Sequence, residues 1–356
     1  MVTRLPASNG MENTILSTLK TAIMKKKYLI SGVVLIFVVI LGFAFFQGQQ
    51  KQKTQAKPTV GILQLMSHPA LDAIHKGIIH GLEEEGYKPG KNIKIDFQNA
   101  QNDQSNLKTM STKFANEDAD LSIGIATPSA QALANTITHK PVILGAITDP
   151  KGAGLVKNNT KPGGNITGVS DQAPLKEQLN MIKQFMPKMK TLGIIYTSSD
   201  DSAVAQYKMF VKLCKQENVH LKAYSIANTN DLTQVAEQAV RSVDAIYVPT
   251  DNTIAGAMQT LVGAANNAKV PVFPAVDTMV KEGGVATYGI DQYQLGVATG
   301  KMSAQILKGK KKPSSTPIKF FRHGKLIINE KQANKLGIKI PANLLKEAQQ
   351  KGELIK

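Results

Sequence analysis

The feature that most narrows what this chain can fold into is an alternation of short apolar runs and amphipathic stretches that occurs twice. Runs over 60–65, 93–97, 121–126 and 141–145 are short, rich in Ile, Leu and Val, and largely without polar alternation. They predict strands buried on both faces. Between them, 69–85 places Leu71, Ile74, Ile78 and Leu82 on one helical face and stops at Gly86. Helices are also predicted over 106–116 and 129–138. The second half predicts strands over 192–196, 219–225, 245–249 and 270–273, with helices over 203–217, 232–241 and 254–267. Strands and helices alternating at this spacing imply βαβ units and parallel sheets.

The halves match in detail. Thr59-Val60-Gly61-Ile62 is similar to Thr191-Leu192-Gly193-Ile194, Asp120-Leu121-Ser122-Ile123 to Asp244-Ala245-Ile246-Tyr247, and Pro141-Val142-Ile143 to Pro271-Val272-Phe273. The offsets are 191 − 59 = 132, 244 − 120 = 124 and 271 − 141 = 130 residues. A near-constant offset indicates a duplicated unit. The length of 356 residues suits two such lobes.

Ahead of the first strand, Lys25-Lys26-Lys27 precedes an uncharged run over 28–46. Nineteen helical residues span about 28 Å, close to a bilayer core. The lysines before the run predict a cytoplasmic segment over 1–27 and an extracellular remainder. Polar residues over 47–58, ending at Pro58, read as a linker. A retained single-pass signal anchor in the cell membrane is favoured over a cleaved signal peptide, because the run is long and no clean cleavage site follows. The only cysteine is Cys214. An intrachain disulfide and a lipid-bearing N-terminal cysteine are therefore both excluded, and Cys214 itself suits a buried helix face.

In open parallel sheets, ligands lie beyond the carboxyl ends of the strands. Those loops hold Gln64, Ser67 and His68; Thr127 and Ser129; Asp149; Ser198; Asp251 and Asn252; and Asp277. Hydroxyls, amides and carboxylates at the ends of apolar strands suit a polar small molecule. Ser129, Asp251 and Asn252 equally suit plain helix capping. The two roles are compatible, since a free helix N-terminus also attracts an anion. Met66, Tyr196, Tyr247, Phe273 and Tyr293 are candidates for an apolar wall, although core packing suits most of them better.

Enzyme signatures are missing. There is no Gly-x-Gly-x-x-Gly after the first strand, no phosphate-binding loop, no Gly-x-Ser-x-Gly and no His-Glu-x-x-His. The six histidines form no set with metal-ligand spacing. No catalysis, cofactor or metal is expected. The net charge is +17, of which residues 1–58 carry 8 − 1 = +7. The remaining lysines are dispersed except Lys308, Lys310, Lys311 and Lys312, which lack interleaved aromatic residues. This reads as a solvated surface suited to anionic lipid or cell-wall polymer, not as a nucleic-acid interface.

Several stretches together resemble the substrate-binding proteins of ABC importers, in the branch linked to tryptophan and tyrosine uptake. They are His68-Pro69-Ala70-Leu71-Asp72, Gly86-Tyr87-Lys88-Pro89-Gly90-Lys91-Asn92, Thr127-Pro128-Ser129-Ala130-Gln131-Ala132, Thr148-Asp149-Pro150, 164–171 with Ser170 and Asp171, Pro249-Thr250-Asp251-Asn252 and 288–296 with Tyr293. The resemblance spans about residues 59–310. It implies a type I periplasmic-binding-protein fold: α/β, two Rossmann-like lobes with parallel sheets joined by a three-segment hinge, preceded here by the transmembrane helix. Lobe 1 is expected over 59–168 plus about 286–312, and lobe 2 over 169–285 plus about 313–356. The implied function is capture of an amino acid, aromatic in this branch, for an ABC permease and ATPase. A membrane-tethered sensor of the same fold is the alternative. A zwitterion bridging the lobes needs an anion site, expected at Thr127 and Ser129. It also needs a cation site, expected at Asp251 or Asp171 with Asn252 and Asp149 assisting.

Overall fold

The computed structural model describes residues 57–356, together with Lys20, Met24 and a helical segment over 36–42. Among the described residues no helix is long and apolar enough to cross a membrane. The run over 28–46 falls mostly outside the described residues. So do the segments over 1–27 and 47–58, apart from Lys20, Met24, Lys57 and Pro58.

The first lobe is built from β1 (Thr59–Gln64), α1 (Pro69–Glu84), β2 (Lys94–Asn99), α2 (Gln104–Asn116), β3 (Leu121–Ile125), α3 (Thr127–Thr136), β4 (Val142–Gly145) and β5 (Ile166–Ser170). Its strands pair in parallel in the order β2-β1-β3-β4-β5. Every residue of β3 and β4 is buried, which is why neither strand shows polar alternation.

The second lobe follows with α4 (Leu175–Phe185), β6 (Thr191–Thr197), α5 (Asp201–Gln216), β7 (His220–Ile226), α6 (Leu232–Val240), β8 (Ala245–Val248), α7 (Asn252–Ala255), α8 (Met258–Asn267), β9 (Val272–Pro274) and α9 (Asp277–Lys281). The sheet order β7-β6-β8-β9 repeats that of the first lobe. The duplication reaches individual atoms: the Thr59 N–H donates to Asp120 Oδ2 at 2.8 Å, and the Thr191 N–H donates to Asp244 Oδ2 at 2.8 Å. One expected helix over 254–267 is instead two, α7 and α8, because Ala257 leaves the helical region with φ −128.

The chain then runs through β10 (Ala286–Gly289), α10 (Gln292–Leu307), β11 (Lys319–Phe320), β12 (Lys325–Asn329), α11 (Glu330–Leu336), α12 (Ala342–Lys351) and β13 (Glu353–Ile355). Pairing locates three passages between lobes. β5 and β11 both belong to the first sheet. β10 pairs antiparallel with β12, and β12 pairs parallel with β13, in a small sheet of the second lobe. The passages therefore fall at about 171–174, 290–291 and 321–324. The expected boundaries at 168/169, 285/286 and 312/313 shift for three reasons, the first being that β10 pairs within the small sheet of the second lobe. The segment 166–170 is a sheet strand and not a crossing. Residues 313–320 are held to the first lobe by Thr167 Oγ1 donating to the Thr316 carbonyl at 2.7 Å and by β11.

α10 packs directly on α1. A Cβ added at Gly77 would lie 2.1 Å from the Tyr293 carbonyl oxygen, and one at Gly296 would lie 2.1 Å from the Ile74 oxygen. Backbone-to-backbone contact of this kind fixes α1, and with it the His68 loop at its N-terminus.

Candidate interlobe binding site

Helix N-termini from both lobes converge where the lobes meet. α3 starts at Thr127 and α5 at Asp201, and the Thr127 and Ser202 hydroxyls bond across the gap at 3.0 Å. α1 starts after His68, whose Nε2 lies 3.2 Å from Asn252 Oδ1 at the start of α7. Gln131 Nε2 donates to Asp201 Oδ2 at 3.1 Å. The lobes are thus closed on one another. A cavity of about 360 Å³ remains between them, lined by Thr127, Gln131, Asp149, Ser202, Lys208 and Met209 among others. That size lies within the range of small-molecule pockets.

The rim of the first lobe is strained. Ala126 and Ala146, directly after β3 and β4, have φ of 73 and 64. Left-handed non-glycine residues cost energy and cluster where a backbone must present groups to a ligand. Ala126 directly precedes Thr127, and Ala146 lies two residues before Thr148.

Three polar atoms at this edge are buried without a partner: Gln64 Oε1, His68 Nδ1 and Ser129 Oγ. Buried polar atoms are normally satisfied, so orphans at one rim mark where a ligand's atoms would go. The rest of Gln64 is fixed, its Nε2 donating to Asp72 Oδ1 at 2.7 Å and to the Met66 carbonyl at 2.8 Å. Ser67 Oγ also donates to Asp72, at 2.7 Å. Burial pushes the His68 pKa down, so the ring is held neutral.

The acids divide sharply. Asp251 receives the Thr197 N–H at 2.6 Å, the Thr197 hydroxyl at 3.0 Å and the Ile254 N–H at 2.9 Å. It is committed to its own lobe, which argues against the ammonium role expected for it. Burial and the charge of Asp200 push its pKa up. Asp200 is saturated in turn by Ser202, Ala203 and both nitrogens of Asn252. Asp149 Oδ1 caps the turn at Gly152 while the residue lines the cavity. Asp171, at the first passage, accepts one side-chain hydrogen bond, from Thr148 Oγ1 at 2.9 Å. Burial raises its pKa to about 6. Ser170 Oγ donates to the Thr148 carbonyl at 3.4 Å.

Three expected site residues lie elsewhere. Tyr293 OH pairs with His80 Nδ1 on the outer face of α1 and α10. Its position within the 288–296 motif gives no indication of that orientation. Ser198 is exposed and donates to the Ile226 carbonyl at 3.1 Å, turned toward β7. Asp277 is the first residue of α9 and accepts from the Thr278 N–H at 2.8 Å, and burial raises its pKa to about 6. Tyr247 and Phe273 are core residues; Tyr247 OH donates to Gln178 Oε1 at 2.7 Å. The rim residues Asp200, Asp201, Ser202 and Gln131 were missed. Asp200-Asp201-Ser202 ahead of a helix is a capping signature, and it was the available signal.

The family of ABC transporter substrate binding proteins matches residues 59–351. This chain belongs to that family. A tyrosine-binding protein of Clostridioides difficile is 36% identical over 319 residues, covering 86% of this chain and 91% of the relative. The structure of the ABC domain from Streptococcus pneumoniae in complex with L-Trp is 45% identical, with a TM-score of 0.81 over 85% of this chain and 100% of that one. A ligand-free, open substrate binding protein with adhesive properties from Clostridium difficile is 36% identical, with a TM-score of 0.66 over 84% of this chain and 99% of that one. The better agreement with the L-Trp complex than with the open form accords with the interlobe hydrogen bonds of the closed lobes here. Family and fold are those of solute-binding proteins, not of enzymes.

Proposed function

We propose that this substrate-binding protein captures a free aromatic amino acid between its lobes and hands it to an ABC permease, while its N-terminal run holds it at the outer face of the cell membrane. The observation that supports the ligand class is a pair of groups with unused hydrogen-bonding capacity, both following strands of the first sheet. Ser129 Oγ is buried and unpartnered at the α3 N-terminus, and Asp171 has carboxylate capacity to spare.

A zwitterion completes both. Its carboxylate accepts from Ser129, Thr127 and the free N–H groups of α3, where the helix dipole favours an anion. Its ammonium donates to Asp171. Both charged contacts lie on the first-lobe side, and Ser202, Lys208 and Met209 of the second lobe line the cavity, so the part of the binding energy that the second lobe supplies accrues only in the closed state. Met209 lines the cavity, and Met66 lies across the cleft at Gly256, so both supply adaptable apolar surface for a ring. The tyrosine-binding relative and the L-Trp complex support an aromatic side chain. The charge-free run over 28–46 behind three lysines supports the anchor.

The test is thermal unfolding of residues 57–356 against the twenty free L-amino acids. An aromatic amino acid at about 100 times its Kd adds about 2.7 kcal/mol of stability. If no amino acid raised the melting temperature, the ligand class would be wrong.

A further inference from the structure

We infer that one end of the first lobe is a docking face for an anionic lipid surface. The inference is linked to the anchor reading above but is tested without it. Residue 57 begins the described unit, and Lys57 Nζ donates to the Gly90 carbonyl at 2.8 Å. The same turn holds the exposed Lys88 and Lys91. Beside it, at the end of α10, Lys308 binds Glu85 at 2.9 Å and lies 5.7 Å from the Tyr87 ring centre. The chain then exposes Lys310, Lys311 and Lys312, and the charge of Lys310 acts on Glu85.

Two lysine groups separated by more than 200 positions in sequence therefore meet at one end of the lobe. Two of the three acids at the end of α1 are spent, Glu84 on Lys301 at 3.0 Å and Glu85 on Lys308, while the exposed Glu83 is the one left to offset the lysines. None of Lys57, Lys88, Lys91, Lys310, Lys311 and Lys312 has an ion-pair partner among the described residues. The face also sits where the chain arrives from the uncharged run over 28–46. Ten residues separate that run from Lys57 and can span at most about 35 Å, so the attachment point at Lys57 stays within that reach of any membrane that the run enters. Juxtamembrane lysines are drawn to anionic headgroups, and the attraction fades within a Debye length of about 8 Å.

Residues 57–356 close their own sheets and cores, so they can be tested alone. The probes are vesicles of phosphatidylcholine with and without 30% phosphatidylglycerol, read by co-sedimentation. The protein should bind only the anionic vesicles and be released by 0.5 M salt. Lys88→Ala/Lys91→Ala/Lys310→Ala/Lys311→Ala should weaken binding at least about 30-fold, since each lysine at such a surface is worth about fivefold. Lys222→Ala/Lys335→Ala/Lys339→Ala/Lys346→Ala removes the same charge from exposed positions of the second lobe and should cost threefold or less. Failure to bind anionic vesicles, or equal losses in the two quadruple variants, would overturn the inference. Full-length protein held in membranes with this face neutralised upholds the anchor reading alone, while the vesicle assay on residues 57–356 decides the docking face, so the two readings fail separately.

Discussion

Asp171→Asn should make the empty protein more stable and the ligand unable to bind. Folding raises the Asp171 pKa from 3.8 to about 6 through burial. Each unit corresponds to about 1.36 kcal/mol, so keeping this carboxylate ionised at pH 7.5 costs about 3 kcal/mol at most. Asp171 is only partly buried, so about 1–3 kcal/mol is the expected range. Asparagine keeps the shape and can still accept from Thr148. At about 2 °C per kcal/mol for a chain of this size, the variant should melt about 2–6 °C higher at pH 7.5. The sign follows from the raised pKa: stability is complete below pH 3.8 and is lost as the pH rises through about 6. The gap between variant and wild type should therefore close near pH 3.5. Differential scanning calorimetry at both pH values reads the first effect, and calorimetric titration with L-Trp or L-Tyr reads the second. A variant that melts lower at pH 7.5, or binds as tightly as wild type, would refute the reasoning.

Three further outcomes follow from the same geometry. Affinity should be flat above pH 7 and fall by up to about tenfold per pH unit below about 6, because the ammonium needs an ionised Asp171; an isotherm unchanged at pH 5 would contradict this. Ser129→Ala removes an orphaned hydroxyl, so the empty protein should keep its stability while affinity drops about 10- to 100-fold, as for a hydrogen bond to a charged group; a variant equally weakened in both would mean that Ser129 only packs. Gly77→Ala drives a methyl group into the Tyr293 carbonyl, so α1 and α10 must separate, and thermal unfolding should report a loss of about 3 kcal/mol or more; unchanged melting would mean the contact is not as tight as described.

The sheets were legible because their strands are short, apolar and repeated at one offset, and the repeated order β2-β1-β3-β4 and β7-β6-β8-β9 follows from that pattern. The rim was legible by topology: Gln64, His68, Thr127, Ser129 and Asp171 all end or follow strands of the first sheet. What sequence does not encode locally is which acid is already satisfied. Asp251 and Asp171 look alike in the chain, yet Thr197 and Ile254 occupy the first while the second meets Thr148 as its one side-chain donor. Tyr293 failed for a related reason, since the face it presents depends on the glycine contact between α1 and α10. The lobe boundaries moved because strands as short as β11 carry no periodicity to read.

The central claim is that the cleft holds both ends of an amino acid at once. The chain contains no tryptophan, so the indole of an added ligand is the only indole fluorophore in the sample. Fluorescence titration with L-Trp, tryptamine and indole-3-propionate isolates the two charges. The account predicts saturable binding of L-Trp with at least about 100-fold weaker binding of each analogue, as expected when a buried charged partner is left unpaired. Binding of tryptamine or indole-3-propionate as tight as that of L-Trp would contradict it.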